Sequence, residues 1–132
     1  MVAQDHPLAQ EKGPITLRGL DRHRLALPGV SFGIRQILTL AEHQLGVNLV
    51  PTLTCNNIAM LKRFAIQGGV TLLPAFVVED ELKKAELVAL PLHAEVFSHP
   101  EAQLITRLGR QLSIGANRLL SMLLQDMSAF RE

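Results

Sequence analysis

The residues best placed to do chemistry stand in two short turns, Pro28-Gly29-Val30-Ser31-Phe32-Gly33 and Thr54-Cys55-Asn56-Asn57. Each turn follows a short apolar run and precedes a segment of helical period, so each is a strand-to-helix connection at the carboxyl end of a strand. Ligands of open α/β sheets bind at such ends. A helix that starts there points backbone N–H groups and the positive end of its dipole outward, which suits a carboxylate or another small anion. Ser31, Thr54 and Asn56 can add side-chain hydrogen bonds. Ser and Asn are also common helix caps, so one such turn is read more simply as a cap. Two together point to a binding cleft.

Other chemistry finds little support. Cys55 lies in the second turn, where a helix N-terminus lowers a thiol's pKa. It is the single cysteine, no histidine stands near it in sequence, and a small apolar residue is the simpler reading. A small enzyme built on Cys55 is therefore a weak rival. The histidines His6, His23, His43, His93 and His99 never reach the spacings of a zinc site. His6 and His99, each followed by proline, read as surface or turn residues. There is no GxSxG, no GxxxxGK and no evident pair of facing carboxylates. Glu79, Asp80 and Glu81 read as a solvated helix start. The expectation is a non-enzyme without metal or cofactor.

The scaffold that positions the turns is an ordinary domain in size and composition. The chain has 132 residues, 48% hydrophobic and 19% charged, which is enough to bury a core without metal or disulfide. The first 13 residues are polar, which predicts no signal peptide and a cytoplasmic location. No apolar run approaches the ~18 residues that span a bilayer, so no membrane partner is expected. A net charge of +1 supplies no field to gather phosphates, and five Phe with no Trp or Tyr supply no stacking platform. This piece is not expected to bind nucleic acid.

From Arg24 onward, short apolar runs alternate with segments of helical period, the pattern of an α/β chain with a largely parallel sheet. Strands are predicted at 24–27, 47–53, 70–73, 87–90 and 103–107, with Pro51 marking an edge or bulge in the second. Ser31 is read as the cap of a helix carrying Ile34, Ile37, Leu38, Ala41 and Leu45 and ended by Gly46. A second helix starts near Asn56. Its apolar positions Ile58, Met60, Leu61, Phe64 and Ala65 predict deep burial, with Lys62, Arg63 and Gln67 as its wet side and Gly68-Gly69 as its stop. A short helix is predicted over 76–84. Ser113 caps a last helix whose face is Ala116, Leu119, Leu120, Leu123 and Met127, extended by Phe130. Residues 93–101 read as a connection. Residues 1–19 read as an incoming extended strand with few core residues, held open by His6-Pro7 and Gly13-Pro14, before a turn centred on Leu20.

In order and spacing, several stretches resemble the sensing domain of LysR-type transcriptional regulators. Asp5-His6-Pro7-Leu8-Ala9 is similar to the family's passage from its first subdomain through a hinge to the second. NIAMLKRFAIQGGVTLLP, residues 57–74, resembles the family's helix, glycine turn and proline-ended strand, followed here by Phe76-Val77-Val78 and a short acidic helix. LVALPL, residues 87–92, and residues 104–120 are similar to the strand before the return to the first subdomain and to its closing strand and helix.

The resemblance implies a three-layer α/β fold, a parallel-type sheet flanked by helices, like a periplasmic binding protein. It implies a hinge strand over residues 1–15, a second, effector-binding subdomain over 16–93 and a returning strand and closing helix over 94–132. The first half of the other subdomain and the helix-turn-helix would lie outside this chain, so DNA would be reached only through the absent N-terminal part. The implied partners are a small-molecule effector, an organic anion being the natural candidate, and further copies of the chain as a dimer or higher oligomer. The helix at 32–45 lies at the family's dimer interface, and Leu119, Leu120, Leu123 and Leu124 call for a covering partner. The effector would be held by Ser31, Phe32, Thr54, Cys55, Asn56, Asn57 and Pro74. A solute-binding protein of a transport system, with the same architecture, is the alternative.

Overall fold

The computed structural model describes residues 1–93, 97 and 103–127. By internal contacts the chain forms two units, Met1–His99 and Pro100–Glu132. The first is a mixed α/β unit. In it, β1 (Val2–Ala3) pairs antiparallel with β5 (Leu87–Val88), and β2 (Leu25–Leu27), β3 (Leu53–Thr54) and β4 (Val70–Thr71) form a parallel sheet in the order β3-β2-β4. Helices α1 (Leu17–Leu20), α2 (Gly33–Leu45), α3 (Ile58–Ile66) and α4 (Glu79–Lys83) connect them. A parallel bridge between Ile15 and Leu92 brings the incoming and outgoing segments side by side.

The central strand β2 is buried throughout and serves two cores. Successive side chains of a strand face opposite sides. Leu25 and Leu27 pack in one cluster with Leu38 and Ala41 of α2, whereas Ala26 packs in the other with Leu61 and Ala65 of α3. The sheet therefore carries one helix on each face. The strand order explains this, because right-handed crossovers running in opposite directions along a sheet deliver their helices to opposite faces. Thr71, buried in β4, keeps its hydroxyl satisfied by donating from Oγ1 to the Ala26 carbonyl at 2.9 Å.

α2 ends as its sequence predicts. Gly46 adopts the left-handed conformation (φ 61°), which costs least without a Cβ, and its N–H and that of Val47 return to the last carbonyls of the helix. The helix does not begin as predicted. Phe32, not Ser31, is the N-cap residue, and it supplies no side-chain hydrogen bond. Ser31 lies one residue too early to reach the first helical N–H groups, and it is exposed.

The predicted strand at 47–53 is reduced to Leu53–Thr54 for a specific reason. The N–H of Leu49 donates to Glu42 Oε1 at 2.7 Å rather than to a neighbouring strand, and Arg35 Nη1 donates to Glu42 Oε2 at 2.8 Å. Glu42 is buried and anchors the chain ahead of the sheet, which it joins where Thr52 N–H reaches the Leu25 carbonyl at 2.7 Å. The strand sits at the edge of its sheet, as Pro51 requires.

α3 is less buried than its composition implies. Leu61 and Ala65, one turn apart, form its buried seam, while Met60 is 52% and Ile66 40% exposed. Lys62, read as wet, is half-buried and donates to both oxygens of Glu81 at 3.0 and 2.9 Å. The predicted helix at 76–84 divides into a 3-10 turn (Ala75–Val77) and α4.

Residues 1–19 depart most from expectation. Val2, Ala3, Leu8, Ile15 and Leu17 are all buried. The segment folds as β1, a 3-10 turn (Pro7–Gln10) and the start of α1, and Leu8 enters the core shared with β2 and α2. Its apolar residues are spaced by neither helix nor strand period, so sequence pattern hides their common burial.

The second unit contains α5 (Ile114–Asp126), capped as expected by Ser113 Oγ, which accepts from the Ala116 N–H at 3.2 Å. No residue of α5 is buried. Residues 103–107 do not form a strand. An extended segment becomes one only by pairing, and no strand is formed among the described residues of this unit. Phe130 and His99 lie outside the described residues.

Candidate functional site

Parallel strands end on the same side of their sheet, so the turns after β2, β3 and β4 share one edge. The register pairs Leu27 with Thr54 and Ala26 with Thr71, setting the three exits nearly level. Ser31 and Phe32 follow the central strand, Thr54, Cys55, Asn56 and Asn57 follow one neighbour, and Pro74 follows the other. All seven predicted residues thus lie along the carboxyl edge of one three-stranded sheet.

A direct hydrogen bond joins two of the turns. Gly29 N–H donates to Asn56 Oδ1 at 2.9 Å. Position 29 must be glycine for this approach, because a Cβ there would collide with the Asn56 carboxamide. Asn56 is therefore a bracket between β2 and β3 exits, whereas sequence reading treated it as an independent donor. Asn57, next to it, caps α3 by accepting the Met60 N–H on Oδ1 at 3.1 Å. Two adjacent asparagines thus have separate roles, one local and one spanning 27 positions.

The remaining residues are placed as follows. Thr54 and Ser31 are exposed and Phe32 is half-buried. Cys55 is half-buried against the α3-side core, its N–H donates to the Leu27 carbonyl at 3.2 Å, and its Sγ contacts the Asn57 carbonyl oxygen at 3.6 Å. That placement fits a packing residue that closes the floor of the turn. Pro74 begins the 3-10 turn after β4 and is half-buried.

The two helix starts on this edge differ. Asn57 occupies donor groups at the head of α3, whereas Phe32 offers none of its own polar atoms to the head of α2. A helix leaves its first N–H groups without intrahelical acceptors; at α2 the Arg35 N–H is taken by the Phe32 carbonyl at 3.0 Å and at α3 the Met60 N–H by Asn57 Oδ1 at 3.1 Å, so both helices turn a comparable positive end to this edge. Chemically, the edge offers amide and hydroxyl hydrogen-bonding groups and a helix dipole, suited to holding a ligand. Among the described residues, no group of three or more His, Cys, Asp and Glu is placed to hold a metal ion.

No helix among the described residues is long and apolar enough to cross a membrane. No curated protein matches the chain. A family model described as LysR substrate binding domain matches residues 1–128, from β1 through α5. The chain belongs to that family, the effector-sensing regulatory domain of LysR-type transcriptional regulators.

Proposed function

We propose that this domain senses a small organic anion held at the carboxyl edge of β2, β3 and β4 by Ser31, Phe32, Thr54, Cys55, Asn56, Asn57 and Pro74. The family match over residues 1–128 carries the functional class, and it favours a regulator over a solute-binding protein of a transport system. Two features support the location. The Gly29–Asn56 bond ties two of the turns together, so a ligand touching either one acts on both. The head of α2, with no side-chain cap, faces the same edge with its dipole.

In this reading the effector acts through its differential affinity for two arrangements of the sensing region. Dimers of the regulator transmit the shift to a DNA-binding part joined to this domain, in the cytoplasm. The segments 1–15 and 94–132 serve as hinge and return around the effector-binding region 16–93.

The test uses the whole regulator. Ser31→Ala and Asn56→Ala are expected to weaken the effector response about tenfold or more each, equivalent to ~1.4 kcal/mol, with operator binding retained. An unchanged effector response in both variants contradicts the site.

A further inference from the structure

We propose that His6, with the His23 ring beside it, forms a pH-sensitive latch that holds the segment after β1 in the core when the His6 imidazole is neutral and releases it when that imidazole is protonated.

His6 is buried, 6% exposed, and is the N-cap of the 3-10 turn Pro7–Gln10. Its Nδ1 accepts the N–H of Leu8 at 3.1 Å. A ring nitrogen accepts only when it carries no proton, so this bond selects the neutral tautomer protonated at Nε2. Adding the second proton places an N–H on Nδ1 facing the Leu8 N–H, donor against donor. The bond is then lost and a buried cation is created.

The His23 ring stands 5.1 Å from that of His6, centroid to centroid and tilted by 54°. His23 is delivered by the turn after α1, where its own N–H donates to the Leu20 carbonyl at 3.0 Å. Two imidazolium rings at this separation repel each other. The other charged groups facing His6 are Asp5, which favours its cation from an exposed position, and the Met1 amine, which disfavours it. The sum of burial, His23, Asp5 and the amine holds the His6 imidazole below its ordinary pKa, burial being the largest cause.

The sign follows from linkage. The released segment binds the proton more tightly than the docked one, so docking is at full strength above about pH 6.5 and weakens as pH falls through that value. The element released is not peripheral. Leu8, 2% exposed, packs in the core that holds β2 and α2, and the His6 N–H donates to the Ala3 carbonyl at the end of β1 at 3.1 Å. The latch does not involve the effector residues, so it stands or falls independently of the site proposed above.

The test is the hydrogen-exchange protection of the Leu8 amide, referenced to Leu38 in α2, followed by NMR in this chain. From about pH 7.5 to about 5.5, the wild-type ratio is expected to fall about tenfold for each unit by which docking lowers the imidazole pKa. His6→Asn keeps a capping acceptor without a titrating group, so its ratio loses the His6 part of the fall and keeps only what the Met1 amine, lowered to about 6 by burial, contributes. The Met1 amine is common to both proteins and cancels in the comparison. Should His6→Asn fail to fold, His23→Gln decides the matter, because removing the neighbouring ring moves the wild-type midpoint to higher pH. A pH-independent wild-type ratio, an equal fall in His6→Asn, or an unmoved midpoint in His23→Gln overturns the latch.

Discussion

α2 and α5 are both 13 residues long and both carry apolar side chains at helical spacing, yet α2 buries Leu38, Ala41 and Glu42 and α5 buries none of its residues. Periodicity marks the face a helix would bury, and burial itself requires a layer to receive it. α2 has that layer in β2, whose Leu25 and Leu27 meet Leu38 and Ala41. Local bonds contribute to α5: the Ser113 cap, Asn117 Nδ2 donating to the Leu112 carbonyl at 3.3 Å, and Ser121 Oγ donating to the Asn117 carbonyl at 3.0 Å. A helix of this length is marginal in water on local terms alone. The stability of the described fold should therefore be concentrated in the first unit, and substitutions at equivalent-looking leucines should differ sharply.

The largest effect is expected at Leu38, 1% exposed. Leu38→Ala should destabilise by about 2–4 kcal/mol, the loss of a buried side chain plus the cavity left behind. The chain has no Trp or Tyr, so urea unfolding followed by circular dichroism is the appropriate measurement. Next comes Glu42→Ala. It removes the acceptor for the buried Leu49 N–H and the partner of Arg35, and should cost roughly 1.5–3 kcal/mol. A cost near zero would mean that the carboxylate does not anchor residues 47–50.

Smaller still is the Lys62–Glu81 pair. The hydrogen bond from Lys62 holds the Glu81 carboxyl below the usual carboxylate range. Its stabilisation is therefore present at neutral pH and is lost as pH falls through the folded-state pKa, below about 4.5. Lys62→Met should lower stability by less than about 1 kcal/mol at neutral pH and flatten this acid limb of the curve. Least of all, Leu119→Ala in α5, at a side chain 57% exposed, should change stability by no more than about 0.5 kcal/mol. A loss comparable to that of Leu38→Ala would erase the contrast between the helices.

What the sequence made legible follows the same division. Most local signals were reliable: Gly46 ends α2, α3 starts beside Asn56, Ser113 caps α5, and the strands before Pro28 and before Pro74 are where apolar runs put them, whereas Ser31 does not cap α2. Each depends on residues within one turn of the feature. Features that depend on distant partners were not legible. Glu42 is buried because of Arg35 and Leu49, each seven positions away, and the strand at 47–53 shortens as a consequence. Residues 1–19 contribute core residues because a sheet elsewhere in the chain receives them. The candidate site shows both kinds. The turns that carry its residues were identifiable as strand exits, whereas the Gly29–Asn56 bracket that joins those turns appears only once β2 and β3 lie side by side.

The most direct test of the proposed sensing edge is a titration of this chain with a panel of small mono- and dicarboxylates, read by amide chemical shifts. The account predicts saturable shifts concentrated at residues 29–32 and 54–57 for at least one carboxylate, and their loss in Asn56→Ala. Saturable shifts confined to other residues, with the two turns silent, would contradict it.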